Sequence, residues 1–199
     1  MTDTSTLWAE WKRITRFLYS TQIAFGRERL VWQSLELERP TEARLQVPVE
    51  KGQYVVRLDE HLESLTNLET LHAAVLIQSF AVAEAAACDR LGIDQRAAGG
   101  VEEWGRALLT ANGRSFGDVH GGLSGIVEAA VARNAYAHAS HVVDAKAAAR
   151  LSGAGSQRWP VGAQVALGFA DVIEFRTRIR SLLRYGGFHQ PGNGLPSHP

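Results

Sequence analysis

The string Arg133-Asn134-Ala135-Tyr136-Ala137-His138 holds the residues best equipped for chemistry in this chain of 199 residues. A guanidinium can hold the charge of a phosphodiester, and an imidazole can move protons near neutral pH. Together they suffice, without a metal ion, for a ribose 2′-hydroxyl to attack the adjacent phosphate. Arginine separated from histidine by four to six residues occurs three times, at Arg114 and His120, Arg133 and His138, and Arg184 and His189. With 18 Arg and 7 His, chance alone supplies roughly two such pairs, so the spacing by itself is weak evidence. Only Arg133 is followed directly by Asn, and that singles its pair out.

The string lies in an alanine-rich stretch, Val127 to His141, whose helix should begin between Asp118 and Gly125. On that helix Asn134 and His138 stand four residues apart on one face, where the amide can orient the imidazole, while Arg133 points further round. Ala129, Ala130, Ala132, Ala135, Ala137 and Ala139 would let a second backbone approach closely, either across a two-fold axis or within one subunit. A plain alternative pairs Arg133 with Glu128 and leaves His138 as a satisfied, half-buried histidine. His138, His141 and Asp144 recur every three residues, but without a further ligand they are a weak metal signal, and neither metal nor cofactor is expected.

The surrounding elements follow from apolar periodicity. Leu7, Trp11, Ile14, Leu18 and Phe25 form a stripe along a long first helix that continues past Gly26 toward Leu37, until Pro40 breaks it. Leu45 to Leu58, rich in Val and Leu around Glu50-Lys51-Gly52-Gln53, suggests a hairpin. Thr66 and Glu69 have capping-box spacing ahead of a helix over 67–91, which Gly92 can stop. Its apolar run, Ala73 to Cys88, is broken by Gln78, Ser79 and Glu84 and reads as a buried helix rather than a membrane span. A shorter helix runs from Val101 to a stop at Asn112-Gly113, another covers Asp144 to Leu151, and the last spans Val165 to Tyr185 with Val172, Phe175, Ile179 and Leu182 toward the core. Gly186 to Pro199, polar and rich in Gly and Pro, should be a disordered tail.

With 45% hydrophobic residues the chain can build one domain, all-α apart from the hairpin. Acidic and basic residues number 21 each, so no global field draws it to nucleic acid or to an anionic membrane. Contact with RNA would have to be local. Arg176, Arg180 and Arg184 recur every four residues and could form such a cationic stripe, although a solvated helix face complementing the helix dipole explains them equally. Glu84 is the only charge between Glu69 and Asp89 and, if buried, needs a cation or hydrogen-bond donors. The single cysteine, Cys88, excludes an internal disulfide and reads as a packing residue. Trp8 and Trp11 belong to the core rather than to a base-stacking platform, and a cytoplasmic location is expected from the polar N-terminus.

The string Arg133 to His138 resembles the signature of the HEPN superfamily, helical domains that include many RNA-cleaving toxins and defence effectors. The likeness spans roughly 65–185, where a long helix precedes the signature helix and another follows it, and it implies a core over those residues with the helix and hairpin of 1–64 as an addition. It implies a HEPN-like helical bundle and a metal-independent endoribonuclease, a toxin or phage-defence effector working as a homodimer with the motif helices facing across the two-fold axis. RNA would be the substrate, and an antitoxin or regulatory protein a further partner. Residue by residue, Arg133 would hold the phosphate, His138 transfer protons and Asn134 position the site, with Glu84 orienting Arg133 and Tyr136 and His141 in support. Many relatives bind RNA, nucleotides or proteins without cutting. That alternative stands beside a purely structural role in dimerisation, for which both Arg133 and His138 should be buried or turned from any pocket.

Overall fold

The stripe of Leu7, Trp11, Ile14 and Leu18 becomes, in the computed structural model, the buried face of a 31-residue helix, α1 (Thr4–Ser34). The structure describes residues 3–35, 41–138 and 141–189, so Pro40 and Ala139 lie outside it. A hairpin follows, β1 (Arg44–Val49) and β2 (Gly52–Arg57), antiparallel with Leu45 opposite Val56 and Val47 opposite Tyr54. Its turn at Glu50-Lys51 closes on Gly52, whose φ of 115° is a conformation only glycine adopts freely. The helices α2 (Leu58–Thr66), α3 (Glu69–Leu91), α4 (Val101–Thr110), α5 (Gly122–Ala137), α6 (Ala145–Gly153) and α7 (Phe169–Tyr185) complete the described chain.

α3 is the axis of the bundle, in contact with α1, α4, α5 and α7. Val75, Leu76, Phe80, Ala83, Ala86, Ala87 and Cys88 are all buried along it, and Phe80 meets Trp104 of α4 edge-on with ring centroids 6.2 Å apart. Among the described residues it is the one helix long and apolar enough to cross a membrane, and here four other helices cover its apolar side chains. The N-terminal segment is not a simple addition to this core. Leu7, Trp8 and Trp11 belong to the same buried cluster as Leu76, Trp104, Ile126 and Phe175. The second half of α1 lies beyond this cluster and packs on α2, with Glu28 Oε1 3.7 Å from His61 Nε2, while Ile23, Leu30 and Val31 and most of the hairpin stay exposed.

Several boundaries differ from expectation for identifiable reasons. The Thr66–Glu69 capping box does not form, because Thr66 ends α2, a helix the periodicity did not reveal, and donates its hydroxyl back to the Leu62 carbonyl at 2.9 Å. The Glu69 amide is instead accepted by Asn67 Oδ1 at 3.2 Å, freeing the Glu69 carboxylate for work elsewhere. Gly92 does stop α3, with φ 66°. α7 begins at Phe169, since Val165 and Leu167 are buried in an extended strap that bridges Gln164 to Val142. Gly186 to His189 do not belong to a tail, since Phe188 is buried with the Arg90 guanidinium 4.3 Å over its ring; the rest of the expected tail, residues 190–199, lies outside the described part.

The cationic stripe of α7 is corrected most sharply. Arg176 is only 5% exposed, donates to Ser79 Oγ, to Thr15 Oγ1 at 2.7 Å and to the Trp11 carbonyl at 3.2 Å, and lies 4.4 Å over the Trp11 ring. Burial lowers its pKa to about 10. It ties α1, α3 and α7 together and cannot touch RNA. Arg180 is exposed and Arg184 half-exposed, and Arg180 is made less basic by partial burial and then by the neighbouring Arg184.

A second polar tie joins α5 to the strap and α7. Glu128 accepts from Ser156 Oγ at 2.7 Å and Arg178 Nη1 at 2.7 Å, with Arg158 Nη1 at 3.5 Å. Burial pushes this carboxyl's pKa up, but the Ser156 hydroxyl and the Arg178 and Arg158 guanidinium groups outweigh it and hold it below the usual range.

Arg176→Ala should therefore cost about 2–4 kcal/mol in urea unfolding, against about 0.5 or less for Arg180→Ala, because only the former empties a buried polar network. For Glu128 the depressed folded pKa means that its contribution is present above the unfolded value near 4.3 and is lost as pH falls through the folded value. Glu128→Gln should be less stable than wild type at pH 7, yet lose less stability on acidification, as measured by unfolding midpoints between about pH 7 and 3.

Candidate functional site

α5 is buried along most of its length. Ala129, Ala130, Ala132 and Ala135 are at most 6% exposed and pack within the subunit, so these small residues do not form an open face for a second copy. Polar chemistry is confined to the helix's last turns. The helix ends at Ala137, earlier than His141, and His138 is its C-cap, with φ −104° and its amide donating to the Asn134 carbonyl at 3.0 Å. His141 lies outside it with φ 50°, a left-handed conformation that histidine tolerates better than most residues.

His138 is exposed and lines an open recess of about 420 Å³ together with Asn134, Lys146 and Arg150. α6 builds the facing wall. Its N-cap, Asp144, accepts the Ala147 amide at 2.7 Å, and the spacing of Lys146 and Arg150 places both on one helix face. Arg150 is fixed by Glu102 of α4 through two contacts of 2.5 Å, Nε to Oε1 and Nη2 to Oε2. Burial raises the Glu102 pKa, but the Arg150 hydrogen bonds more than offset this and keep the carboxylate ionised. Lys146 is exposed and has no described partner.

Arg133 points elsewhere. It lines an adjoining recess of about 260 Å³ with Phe80, Glu84, Gly100 and Val101, and two residues, Asn134 and Arg150, line both spaces. Its guanidinium sits 4.7 Å over the Phe80 ring and 3.7 Å from Glu84 Oε2. Glu84 does face Arg133, as expected, and Glu128 does not, being occupied by Arg158, Arg178 and Ser156. Burial makes Arg133 a weaker base than usual, an effect that Glu84 partly reverses. Arg133 and His138 are thus neighbours in adjoining recesses rather than two sides of one cleft. The side chains of Asn134 and His138 share a recess without a described hydrogen bond between them, so the expected orienting contact is not made.

The two supporting residues serve the frame. The Tyr136 hydroxyl contacts the Glu69 carboxylate and lies 2.7 Å from the Val165 carbonyl, pinning the motif helix to α3 and the strap. Burial and then Glu69 push its ionisation well above the usual range. His141 packs against the Tyr136 ring at 4.4 Å, and its carbonyl accepts the Val165 amide at 2.9 Å. Neither lines the His138 recess. Cys88 is buried, as its reading as a packing residue requires, and among the described residues no cluster of three or more His, Cys, Asp or Glu is placed to hold a metal ion.

Lys146 and Arg150 were not candidates from the sequence, because they lie outside the Arg133–His138 string. The available signal was their four-residue spacing on the short helix directly after it. Comparison with family models, with curated proteins and with solved structures finds no match.

Tyr136→Phe should lower stability by about 0.5–1.5 kcal/mol, the worth of a typical buried hydrogen bond, without changing the chemistry of the His138 recess. The check is a thermal or urea unfolding curve beside an activity assay at a temperature where both proteins are folded.

Proposed function

We propose that the chain is a HEPN-like, metal-independent endoribonuclease whose proton-transfer residue is His138. The observation that carries this reading is the exposed imidazole at the end of a buried helix, in an open recess whose far wall supplies Lys146 and Arg150. In the reaction the ribose O2′ forms a bond to phosphorus as the bond to O5′ breaks. His138 takes the proton of the 2′-hydroxyl as neutral imidazole and, as imidazolium, delivers it to the departing O5′. Lys146 and Arg150 meet the negative charge that grows on the phosphate oxygens. Asn134 offers an amide between this recess and the next. Arg150 needs no rearrangement to act, because Glu102 already holds its guanidinium plane.

A second reading, RNA or nucleotide binding without cleavage, is favoured by one observation: Arg133 faces Glu84 in the adjoining recess instead of lying against His138.

Incubating the purified protein with a fluorescent RNA in EDTA separates the two. Cleavage should proceed in chelator and leave 2′,3′-cyclic phosphate ends, and His138→Ala should slow it by about 10²–10⁴-fold while remaining folded. Wild-type rates from His138→Ala, or products with 5′-phosphates that require a divalent ion, would overturn the assignment. Binding without cleavage would leave the second reading in possession.

A further inference from the structure

Exposed apolar side chains are gathered on two elements. Apart from Ile93, Val142 and Val161, every large one exposed among the described residues lies on α1, its cap Leu35 or the hairpin. Scattered singly such residues need no explanation, but a contiguous patch marks a surface that something else covers. On the second half of α1, Ile23, Arg27, Leu30, Val31 and Ser34 recur at intervals of three and four residues, which lays them along one face, opposite the Leu7 to Leu18 stripe that enters the core. Ile23 is 60% exposed, Leu30 63% and Val31 55%. Arg27 stands exposed in their midst with no described partner.

The same helix carries the converse surface on its flank. Between α1, α2 and α3 runs a groove of about 590 Å³, lined by Phe17 and Phe25 of α1, by Leu68 and Leu71 at the entry to α3, and by Glu60 and Glu63 of α2. Both carboxylates are exposed, and neither has a described ion pair. The groove is larger than the His138 recess and shares no residue with it. An apolar and acidic groove repels RNA and suits a helix face that is apolar and basic. The outer face of α1 is such a face. Ridge and groove lie on different sides of one continuous helix, so a chain cannot seat its own ridge in its own groove.

We infer that the α1 ridge docks into the α1–α2–α3 groove of a second copy of this chain, the two α1 helices running antiparallel about a two-fold axis. Each protomer gives a ridge and receives one, as an isologous interface requires, and Arg27 of each meets Glu60 and Glu63 of the other. The area is sufficient. Phe17, Ile23, Leu30, Val31 and Leu35 are all more than half exposed, and with roughly 100 Å² left open on each they supply about 500 Å² of the ~800 Å² per partner that a specific interface buries. The polar walls of the groove supply the remainder. This interface is not the one that the motif string implies, because it leaves α5 buried inside each subunit and the His138 recess outside the contact. It stands whether or not the protein cuts RNA.

Sedimentation equilibrium of the full chain at micromolar concentrations should fit a dimer of the 21.7 kDa chain. Leu30→Glu should weaken association at least about tenfold, since docking would desolvate the new charge, and should leave the unfolding midpoint unchanged because the position is exposed. Charge reversal gives the sharper test. Arg27→Glu sets acid against acid, and the double variant Glu60→Arg with Glu63→Arg sets base against base, so each should be monomeric where wild type is dimeric. Mixed in equal amounts, the two should form a heterodimer, because both cross-contacts again join opposite charges. A misfolded variant would not regain this. A wild-type chain still monomeric at about 100 μM overturns the interface and leaves the groove to a basic helix of another protein. So does a dimer indifferent to Leu30→Glu, whose contact must lie elsewhere, or a charge-reversed pair that fails to associate when mixed.

Discussion

Burial of α5 is the constraint from which the rest of the site follows. Ala129, Ala130, Ala132 and Ala135 occupy positions at most 6% exposed, and side chains this small let the helix lie close within the bundle. A helix buried along its length can present polar groups only at its end or where a long side chain reaches past a neighbour. His138 takes the first route, as the C-cap, and Arg133 the second, across Phe80. Successive residues turn by about 100°, so two positions five apart diverge by about 140° around the axis, and the walls of the bundle keep them in separate recesses. The separation of Arg133 from His138 is therefore a result of packing and follows from no property of either residue.

The arginines show how strongly context decides the use of a single residue type. On α7, Arg176 points inward to fasten α1 and α3, Arg178 reaches α5 through Glu128, and Arg180 faces solvent. Helical spacing puts Arg176, Arg180 and Arg184 along one side, but the side of α7 that carries Arg176 passes beneath α1, and the approach of Trp11 and Thr15 closes over it. A buried guanidinium survives there because hydroxyl and carbonyl acceptors and an aromatic face replace water. Glu128 performs the reverse task, a carboxylate kept ionised by two arginines and a serine. These two ties link α1, α3, α5 and α7 at points where apolar packing alone would not specify orientation.

Supports of this kind set the rigidity of the candidate site. α6 is held by the Glu102 contacts of Arg150 and by the Asp144 cap. The connection from α5 to α6 is fastened at His141, through the Tyr136 ring and the Val165 amide of the strap. Tyr136 and His141, adjacent to the chemistry in sequence, are spent on this scaffolding, whereas Arg150, distant in sequence, supplies charge to the recess.

The helical character of the chain, the hairpin, most helix positions and the chemical prominence of Arg133, Asn134 and His138 were legible from the residues alone. These are local properties: apolar period, glycine conformations at Gly52 and Gly92, and the rarity of one short string. The pairing of Glu84 with Arg133 was implied by the family resemblance; the lone charge in an apolar helix by itself asked only for some cation or donor if buried. The remainder was settled by contacts between elements far apart in the chain. Thr66 could satisfy either Glu69 or its own preceding turn, and the presence of α2 settled that choice. Phe188 and the first half of α1 could be core or appendage, and long-range packing made them core. Whether Arg176 met water or Trp11, and whether Arg133 and His138 shared a cleft, depended on how seven helices pack among the described residues, a matter of contacts between segments far apart in the chain. Spacing along one helix carries no information about which neighbour will stand in front of it.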